Sequence, residues 1–404
     1  MAGLRAVVRQ SIDRLDGWLV NNGWAGYDPY DLPGLPAFIR PAGLPAQTLR
    51  RAALKAGYYF PRALRRLFGV PRMINAKGMG LFAEGYRLLY EVMNEERYLR
   101  RAQEALAWLE ANAAVGYAGP CWGYPFDWQS RVLIPRGTPS SVVSATVGHA
   151  FWGFYQMTGE QHYLDVCRRI CEFFLHDLRI DRFDDGHICF SYTPIDTFHV
   201  HNANLFVADF LVRVGLAARE DRYVDHGMQA VAYTLGQQND DGSICYWGRD
   251  QESSCNIDHY HSGFEIRCLH GVWKGTADAR VYRALQAYYA FYRERLFQGH
   301  VPKMTPARLY PVDVHSCAEA ILCHSTLAPD FPAAWDDLWS TVPWILREMQ
   351  HREGWFIYRI ARLPGGVRCS IRIPYIRWGQ AWMLRSLATL YRNMESADEA
   401  ALHP

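Results

Sequence analysis

Lysine is nearly missing from this chain. Lys55, Lys77, Lys274 and Lys303 are the only ones among 43 basic residues, so the positive charge is carried by arginine. The forked guanidinium suits paired contacts with carboxylate or phosphate, although an arginine-rich composition is equally a mark of a GC-rich genome. Net charge is scarce too: 43 basic residues face 41 acidic ones, a balance of +2, which gives no field to attract nucleic acid. No run of about 18 apolar residues is free of charge, so no membrane-spanning helix is expected. The first segment, MAGLRAVVRQSIDRLDGWLV, carries Arg9, Asp13, Arg14 and Asp16 and lacks the uninterrupted apolar core of a signal peptide. It reads as an amphipathic helix. There is no CxxC pair, Gly-rich phosphate loop, G-x-S-x-G elbow, DxDD or DDxxD. The ten cysteines follow no small-domain disulfide pattern. These absences predict a reduced, cytoplasmic protein without a cofactor.

What the chain does have is repetition. LLYEVMNEERYLRRAQEALAWLEAN, GFYQMTGEQHYLDVCRRICEFFLHDL and RVGLAAREDRYVDHGMQAVAYTLGQQ share one plan: an apolar helix end, a polar turn, then a second helix opening on an aromatic residue. Tyr98, Tyr163, Tyr223, Tyr282 and Trp335 mark the same point in successive units, and WGQAWMLRSLATLYRNM begins a sixth. The first helix of each unit is apolar all round and belongs inside; the second is amphipathic and belongs outside. Six such hairpins predict an all-α (α/α)6 toroid over 71–404, with 1–70 as N-terminal helices packing on it. The competing architecture is an open helical solenoid. The basic and aromatic segment 50–70 has two readings: a helix closing the ring, or a contact with a membrane surface or anionic polymer.

In a toroid, the loops from outer to inner helices emerge on one face. Here they are long (about 112–142, 178–201, 237–261, 298–314 and 350–378), and long loops in a compact domain are usually functional. Inner-helix N-termini point to the same face and favour anions. The alternation in WFIYRI and VRCSIRIPYIRW predicts a small β-hairpin turning at Gly365-Gly366 on that face. All five loops mix aromatic rings with Arg, Asp and His, the mixture that sugar rings require: apolar C–H faces for stacking and hydroxyls for hydrogen bonds. Candidate substrate-binding residues are Trp122, Tyr124, Asp127, Arg131, His199, Asn202, Trp247, His259, His315, Tyr375, Arg377, Gln380 and Trp382.

The stretch NIDHYHSGFEIRCL loads titratable groups directly before an inner helix. Asp258 can serve as its N-cap. His259/His261 and His199/His201 form the same i, i+2 pair at equivalent repeat positions. Four histidines could bind metal, and Cys323-His324 with Cys268 or Cys317 could imitate a Cys/Cys/His zinc site, but the spacing is poor and no metal is expected. QQNDDGSICYWG resembles the Q-x-x-DGS-W turn of terpene-cyclase toroids, a helix-junction signal.

Beyond these features, CWGYPFDWQ, RGTPSSVVSATVGHAFWGFYQMTGEQHYL, QNDDGSICYWG, IDHYHSGFEIRCL, DVHSCAEAI and RWGQAWMLRSLATLY resemble motifs of toroidal proteins encoded with bacterial polysaccharide biosynthesis genes. TGEQHYL and DHYHSGFEI are distantly similar to the C-terminal toroid of glucuronyl C5-epimerases, with Tyr260 and His261 in the second motif. The plan is also similar to unsaturated-uronyl hydrolases and N-acylglucosamine 2-epimerases. The resemblance implies an enzyme acting on a uronate-containing oligosaccharide or polysaccharide, lipid-linked in one variant and met at the inner membrane surface. C5-epimerisation leads; a lyase, a hydrolase with two carboxylates (Asp127 with Asp258, or Asp196 with Asp313) and a non-catalytic glycan-binding component are the alternatives. For epimerisation, Arg377, Arg131 or Arg372 would neutralise the carboxylate. Tyr260 and His261 would act on one ring face, with His201 or Tyr246 opposite and Asp258 beside them. A tyrosine base would need a neighbouring arginine to lower its pKa.

Overall fold

The computed structural model describes residues 2–39 and 43–402; Met1, 40–42, His403 and Pro404 lie outside them, as do those ends of the expected 1–70 and 71–404 segments. Four helices precede the first repeat: α1 (Ala2–Asn22), α2 (Pro36–Ile39), α3 (Gly43–Tyr59) and α4 (Pro61–Leu67). Five hairpins follow, each an inner helix then an outer one: α5 (Ala76–Met93) with α6 (Glu96–Ala111), and α7 (Ser141–Thr158) with α8 (Gln161–His176). Next come α9 (His201–Ala218) with α10 (Asp221–Leu235) and α11 (His259–Thr276) with α12 (Ala279–Arg295). The fifth is α13 (Val314–Leu327) with α14 (Ala333–Met349), and a π turn at Ile376–Ala381 leads into α15 (Trp382–Leu402).

The inner helices pack in sequence order, and α15 returns to pack on α5. The ring is closed, which removes the open solenoid. Helix α1 lies against α14 and α15 and so stands outside the last inner helix. Inner helices are buried almost all round, as in the unbroken buried run Ala76–Leu89 of α5, because they touch neighbours on both sides and an outer helix behind. Small residues allow the close approach: a Cβ at Gly80 would stand 3.1 Å from the Val147 Cα on α7. The repeat is visible in the backbone as well. The turns after α5, α7, α9 and α11 each use one left-handed residue: Asn94, Gly159, Arg219 and Ala277. Such a cap satisfies the last helical carbonyls while reversing the chain in two residues.

The long loops gather at the other end. They carry hairpins β1 (Trp128–Gln129) with β2 (Leu133–Ile134), β3 (Ile180–Arg182) with β4 (Ile188–Phe190), and β5 (Phe297–Gln298) with β6 (Val301–Pro302). A three-stranded sheet joins β7 (Val312–Asp313), β8 (Arg359–Arg362) and β9 (Arg368–Ile371). The expected hairpin is the β8–β9 pair, and its turn places Gly365 and Gly366 at φ 81°. The Gln238–Ser243 turn is structural: Gln238 Nε2 donates to the carbonyls of Gly242 and of Ala284 on α12.

One expectation fails here. Cys245 and Cys255 form a disulfide within the third long loop, so the cysteines are not all reduced. The pairing escapes a sequence reading because the other eight cysteines are free, seven of them buried as small core residues.

Candidate active site

Each inner helix opens with the same geometry. Its first residue turns back into the core, and its second faces the ring axis. The second residues are Lys77 on α5, Val142 on α7, Asn202 on α9, Tyr260 on α11 and His315 on α13; Arg377 holds that place in the turn before α15. All six line one cavity of about 540 Å³, with Tyr246 and His261 among the other polar walls. Its remaining walls are rings, among them Tyr30, Tyr124, Trp128 and Trp378. A groove of about 910 Å³ shares Tyr30, Trp128, Tyr260 and Trp378 with it and continues outward past Asp127 and Gln129.

Two imidazoles pack against Tyr260, His261 at 4.3 Å and His315 at 4.6 Å. Asp258 caps α11 by accepting from the His261 N–H at 3.0 Å, and its second oxygen meets His261 Nδ1 at 2.6 Å. The cap and the pairing are one structure: a carboxylate fixed by helix geometry orients the imidazole, leaving Nε2 without a protein partner. The His315 ring stacks on Tyr260 at 19° and abuts Trp378 edge-on at 4.3 Å. Both His315 nitrogens lack a hydrogen-bond partner. Burial first, then the charges of Lys77 and Arg377, push its pKa well below the ordinary histidine value, so it is a neutral imidazole.

Lys77 forms the floor, with its Nζ over the faces of Phe264 (5.3 Å), Trp382 (5.4 Å) and Phe206 (5.6 Å). Burial, then Arg377 and Arg267, hold it well below the usual lysine pKa. Arg377 is committed to Asp28 through two bonds of 2.7 and 2.8 Å. No carboxylate lines the cavity among the described residues; Asp28 and Asp258 stand one bond behind, on Arg377 and His261.

The tyrosines differ from expectation. Burial and nearby acidic groups push Tyr260 and Tyr246 far above the ordinary tyrosine pKa, and no arginine offsets this. They are neutral hydroxyl donors in the resting site, not bases.

Several candidates lie elsewhere. His201 is the first residue of α9, so it faces outward: its Nδ1 meets Thr234 Oγ1 at 3.2 Å and its ring stacks on Tyr233. It does not line the cavity, so the expected base opposite His261 is not there. His259, first on α11, is enclosed in the same way, with Nδ1–H donating to the Leu296 carbonyl (3.1 Å) and Nε2 accepting from Tyr292 Oη (2.7 Å). His199 is held between Asp181 and Asp250. Trp122 is core, donating to the Leu109 carbonyl. Gln380 braces the Phe356 backbone, and Tyr375 packs under Arg65 and against Tyr358. Arg131 lies at the rim, stacked 3.9 Å over Trp247 and paired with Glu252. Asp127 accepts from the Arg136 N–H in the outer groove. Trp382 lies beneath the floor, stacked on Phe264 at 5.0 Å. Arg372 is exposed on the loop-five side. The proposed hydrolase pairs do not meet in the cavity: Asp196 closes a turn with Thr193, and Asp313 is bound by His315 N–H, Trp378 and Arg359. Cys268, Cys317, Cys323 and His324 join no group of three metal-ligating side chains among the described residues.

Sequence reasoning missed Lys77, Tyr30 and Phe264. The place in the helix was legible for Lys77, since its neighbours in the repeat were all chosen by loop chemistry instead. Tyr30 comes from the segment GYDPYDLPG, which no repeat contains; it is pinned where Gly34 meets the Asp127 carbonyl so closely that a Cβ would stand 2.3 Å from it.

No family model matches the chain, and no curated protein matches it. The fold is found among solved structures. Cellobiose 2-epimerase from Bacillus thermoamylovorans superposes with a TM-score of 0.61 at 11% identity, over 80% of this chain and 88% of that one. The GH76 α-mannanase of Bacteroides thetaiotaomicron gives 0.61 at 10% identity, over 80% and 88%. A polysaccharide lyase gives 0.58 at 10% identity, over 98% and 99%. At such identities the likeness establishes the fold alone, an α/α toroid; here five hairpins are completed by α15, with α1 outside it.

Proposed function

We propose that this protein is a carbohydrate-modifying enzyme that moves a proton at a carbon beside a carboxylate, with uronate C5-epimerisation as the reaction. The observation that carries this reading is the pair of imidazoles, His261 and His315, packed against Tyr260 in a cavity that no carboxylate lines. Glycoside hydrolysis by two carboxylates has no place there. Proton transfer does. The uronate carboxylate is received by Lys77, the lining cation without a carboxylate partner, beside Arg377 and the positive ends of six helices. His315, held neutral, removes the C5 proton, the electron pair moves onto the carboxylate as an enediolate, and His261, oriented by Asp258, carries the proton that is returned to the carbon. Burial suits His315 to the base role alone. Tyr260 and Tyr246 donate hydrogen bonds. A second reading, β-elimination, is favoured by the neutral Tyr260 hydroxyl, which could protonate a departing glycosidic oxygen.

The aromatic outer groove suits a chain longer than one sugar, so the partner is an oligosaccharide or polysaccharide. A lipid-linked chain at a membrane surface finds support in the exposed Leu49, Phe60 and Leu67, which accompany Arg51, Lys55 and Arg66 along α3, α4 and the junction between them. No helix of the described residues is long and apolar enough to cross a membrane. Composition argued for the cytoplasm; the Cys245–Cys255 bond is typical of oxidising compartments and pulls the other way.

Incubation with uronate glycans in heavy water tests the reading. Deuterium at C5 supports epimerisation, new ultraviolet absorbance supports elimination, and new reducing ends would support hydrolysis. Binding without any of these would leave a glycan-binding protein and end the enzymatic reading.

A further inference from the structure

The ring has a second cavity. It begins below the Lys77 floor, where Trp382 and Phe206 separate the two, and opens at the end with the short turns. Its volume is about 1210 Å³, and all six inner helices line it. Its chemistry is opposite to the first: charged instead of aromatic.

Most of the charge is internally balanced. Arg87 meets Glu84 at 2.9 Å and Glu91 at 2.5 Å; Arg213 meets Asp209 at 2.8 Å; Arg267 meets Glu319 at 2.6 Å; Lys274 meets Asp330 at 2.8 Å. Two cations remain, both on α15. Arg385 reaches one carboxylate, Glu84, at 3.6 Å; Arg392 reaches one carboxylate, Glu91, at 3.9 Å, and donates to the Asn393 Oδ1 at 3.4 Å; both acids already serve Arg87. Seven residues apart, they face the same way on the helix, with Thr389 between. Burial, together with Arg267 and Arg87, pushes Arg385 down to about 10, as expected of a cation short of compensation. His149 is kept neutral by burial and by Arg213, Arg385 and Arg267.

The hydrogen-bond account points the same way. Arg385 Nε–H, Trp152 Nε1–H and Trp382 Nε1–H are buried donors with no acceptor, and all three residues line this cavity. An unsatisfied buried donor is costly, so three at one cavity form a site short of acceptors. Cations near helix C-termini also offset the negative helix ends. That accounts for Lys274 and Arg392 near the mouth but not for indole N–H groups deeper in the ring.

We infer that the turn-side cavity is a binding site for a small phosphate-bearing anion, held by Arg385 and Arg392 with the indole N–H group of Trp152. The donors come from α7 and α15 instead of one planar fork, which fits tetrahedral phosphate better than planar carboxylate. This site is independent of the reaction proposed above.

The test is direct binding to the full chain by calorimetry, using inorganic phosphate, glycerol phosphate and succinate at constant ionic strength held with chloride. Saturable phosphate or glycerol-phosphate binding is expected, with succinate at least tenfold weaker. Arg392→Gln, on a half-exposed side chain, should weaken phosphate binding tenfold or more. Trp152→Phe, which keeps the ring and removes the N–H, should weaken it several-fold. Should Arg385→Gln not fold, these two variants still decide. Absence of saturable binding, succinate binding as tight as phosphate, or undiminished binding by both variants would overturn the assignment. None of these readouts depends on sugar turnover.

Discussion

The junctions leading into α9 and α11 look alike in sequence and differ in the folded ring. Each offers a His-x-His pair: His199 and His201 in one, His259 and His261 in the other. In α9 the helix begins on the second histidine, so His201 takes the outward first position and Asn202 the inward second. In α11 the helix begins on the first histidine, so His259 turns outward, Tyr260 turns inward and His261 follows at the cavity wall. A shift of two residues in the helix start converts a pair of buried structural histidines into one structural and one site histidine. Position relative to the N-cap, more than residue type, decides which side chains meet the axis.

The largest expected effect separates these junctions. His261→Ala should lower kcat on a uronate glycan by about 10²–10⁴, the usual range for loss of a general acid or base, with the melting temperature little changed. Asp258→Asn should retain the helix cap, since Asn caps as well as Asp, yet lose much of the activity by freeing the imidazole. His201→Ala should leave kcat within a few-fold of the native value while lowering the melting temperature. Equal losses of activity from His261→Ala and His201→Ala would break the comparison.

The second effect is acid lability of the outward histidines. Burial holds His201 at about 4 and His259 and His324 at about 3. Their unfolded value is near 6.5. The unfolded chain therefore binds more protons between those limits, so stability rises with pH there. It is complete above about 6.5 and falls as pH drops toward 3–4, each group contributing up to about 1.4 kcal/mol per pH unit. Urea unfolding between pH 7 and 4 should show the decline, and His259→Phe should reduce its slope. An unchanged slope would mean that His259 is not held neutral in the fold.

Next in size is the clamp on the loop ahead of α11. The Cys245–Cys255 bond closes ten residues of sequence, and Tyr246, beside Cys245, lines the cavity. Cys255→Ser should cost about 2–3 kcal/mol of stability and a few-fold in kcat through looser placement of Tyr246. The matching loop before α9 carries no disulfide, so reductant should act on the α11 junction alone; hydrogen exchange that rises equally in both loops would contradict this.

The toroid was legible because hydrophobic periodicity and the aromatic marker recur in every unit, and burial follows periodicity. Loop lengths then named the face that carries the candidate site. Within the site, Tyr124, Asn202, Tyr246, Tyr260, His261, His315 and Arg377 were legible because rich loops end at inner-helix starts. His201 and His259 were misplaced for one physical reason: polar side chains at a helix start face either the axis or the core, and which way depends on an N-cap one residue earlier; Trp122, in the first long loop, and Gln380, within the turn before α15, are drawn away from the cavity by their own hydrogen bonds to backbone. Tyr30 and the Cys245–Cys255 pairing depend on how non-repeating segments fold back, about which periodicity is silent.

Lys77 sharpens the comparison most finely, because it sits at the same inward second position as Asn202 and Tyr260 but carries charge. Burial and the nearby arginines hold its pKa well below 10.5. A carboxylate placed beside it would favour the ammonium, so uronate binding should take up a proton wherever the free amine is partly neutral. The sign follows: affinity is greatest below the depressed pKa and weakens as pH rises through it. Lys77→Met, which keeps length and apolar contact with Phe206, Phe264 and Trp382, should raise KM for a uronate glycan about tenfold, near 1.4 kcal/mol, and abolish the pH dependence of KM. The effect on a neutral glycan should be slight. If KM for uronate and neutral chains rises equally, Lys77 shapes the floor and does not receive the carboxylate, and the charge at the second position of α5 would then be structural, as it is for Arg377 on Asp28.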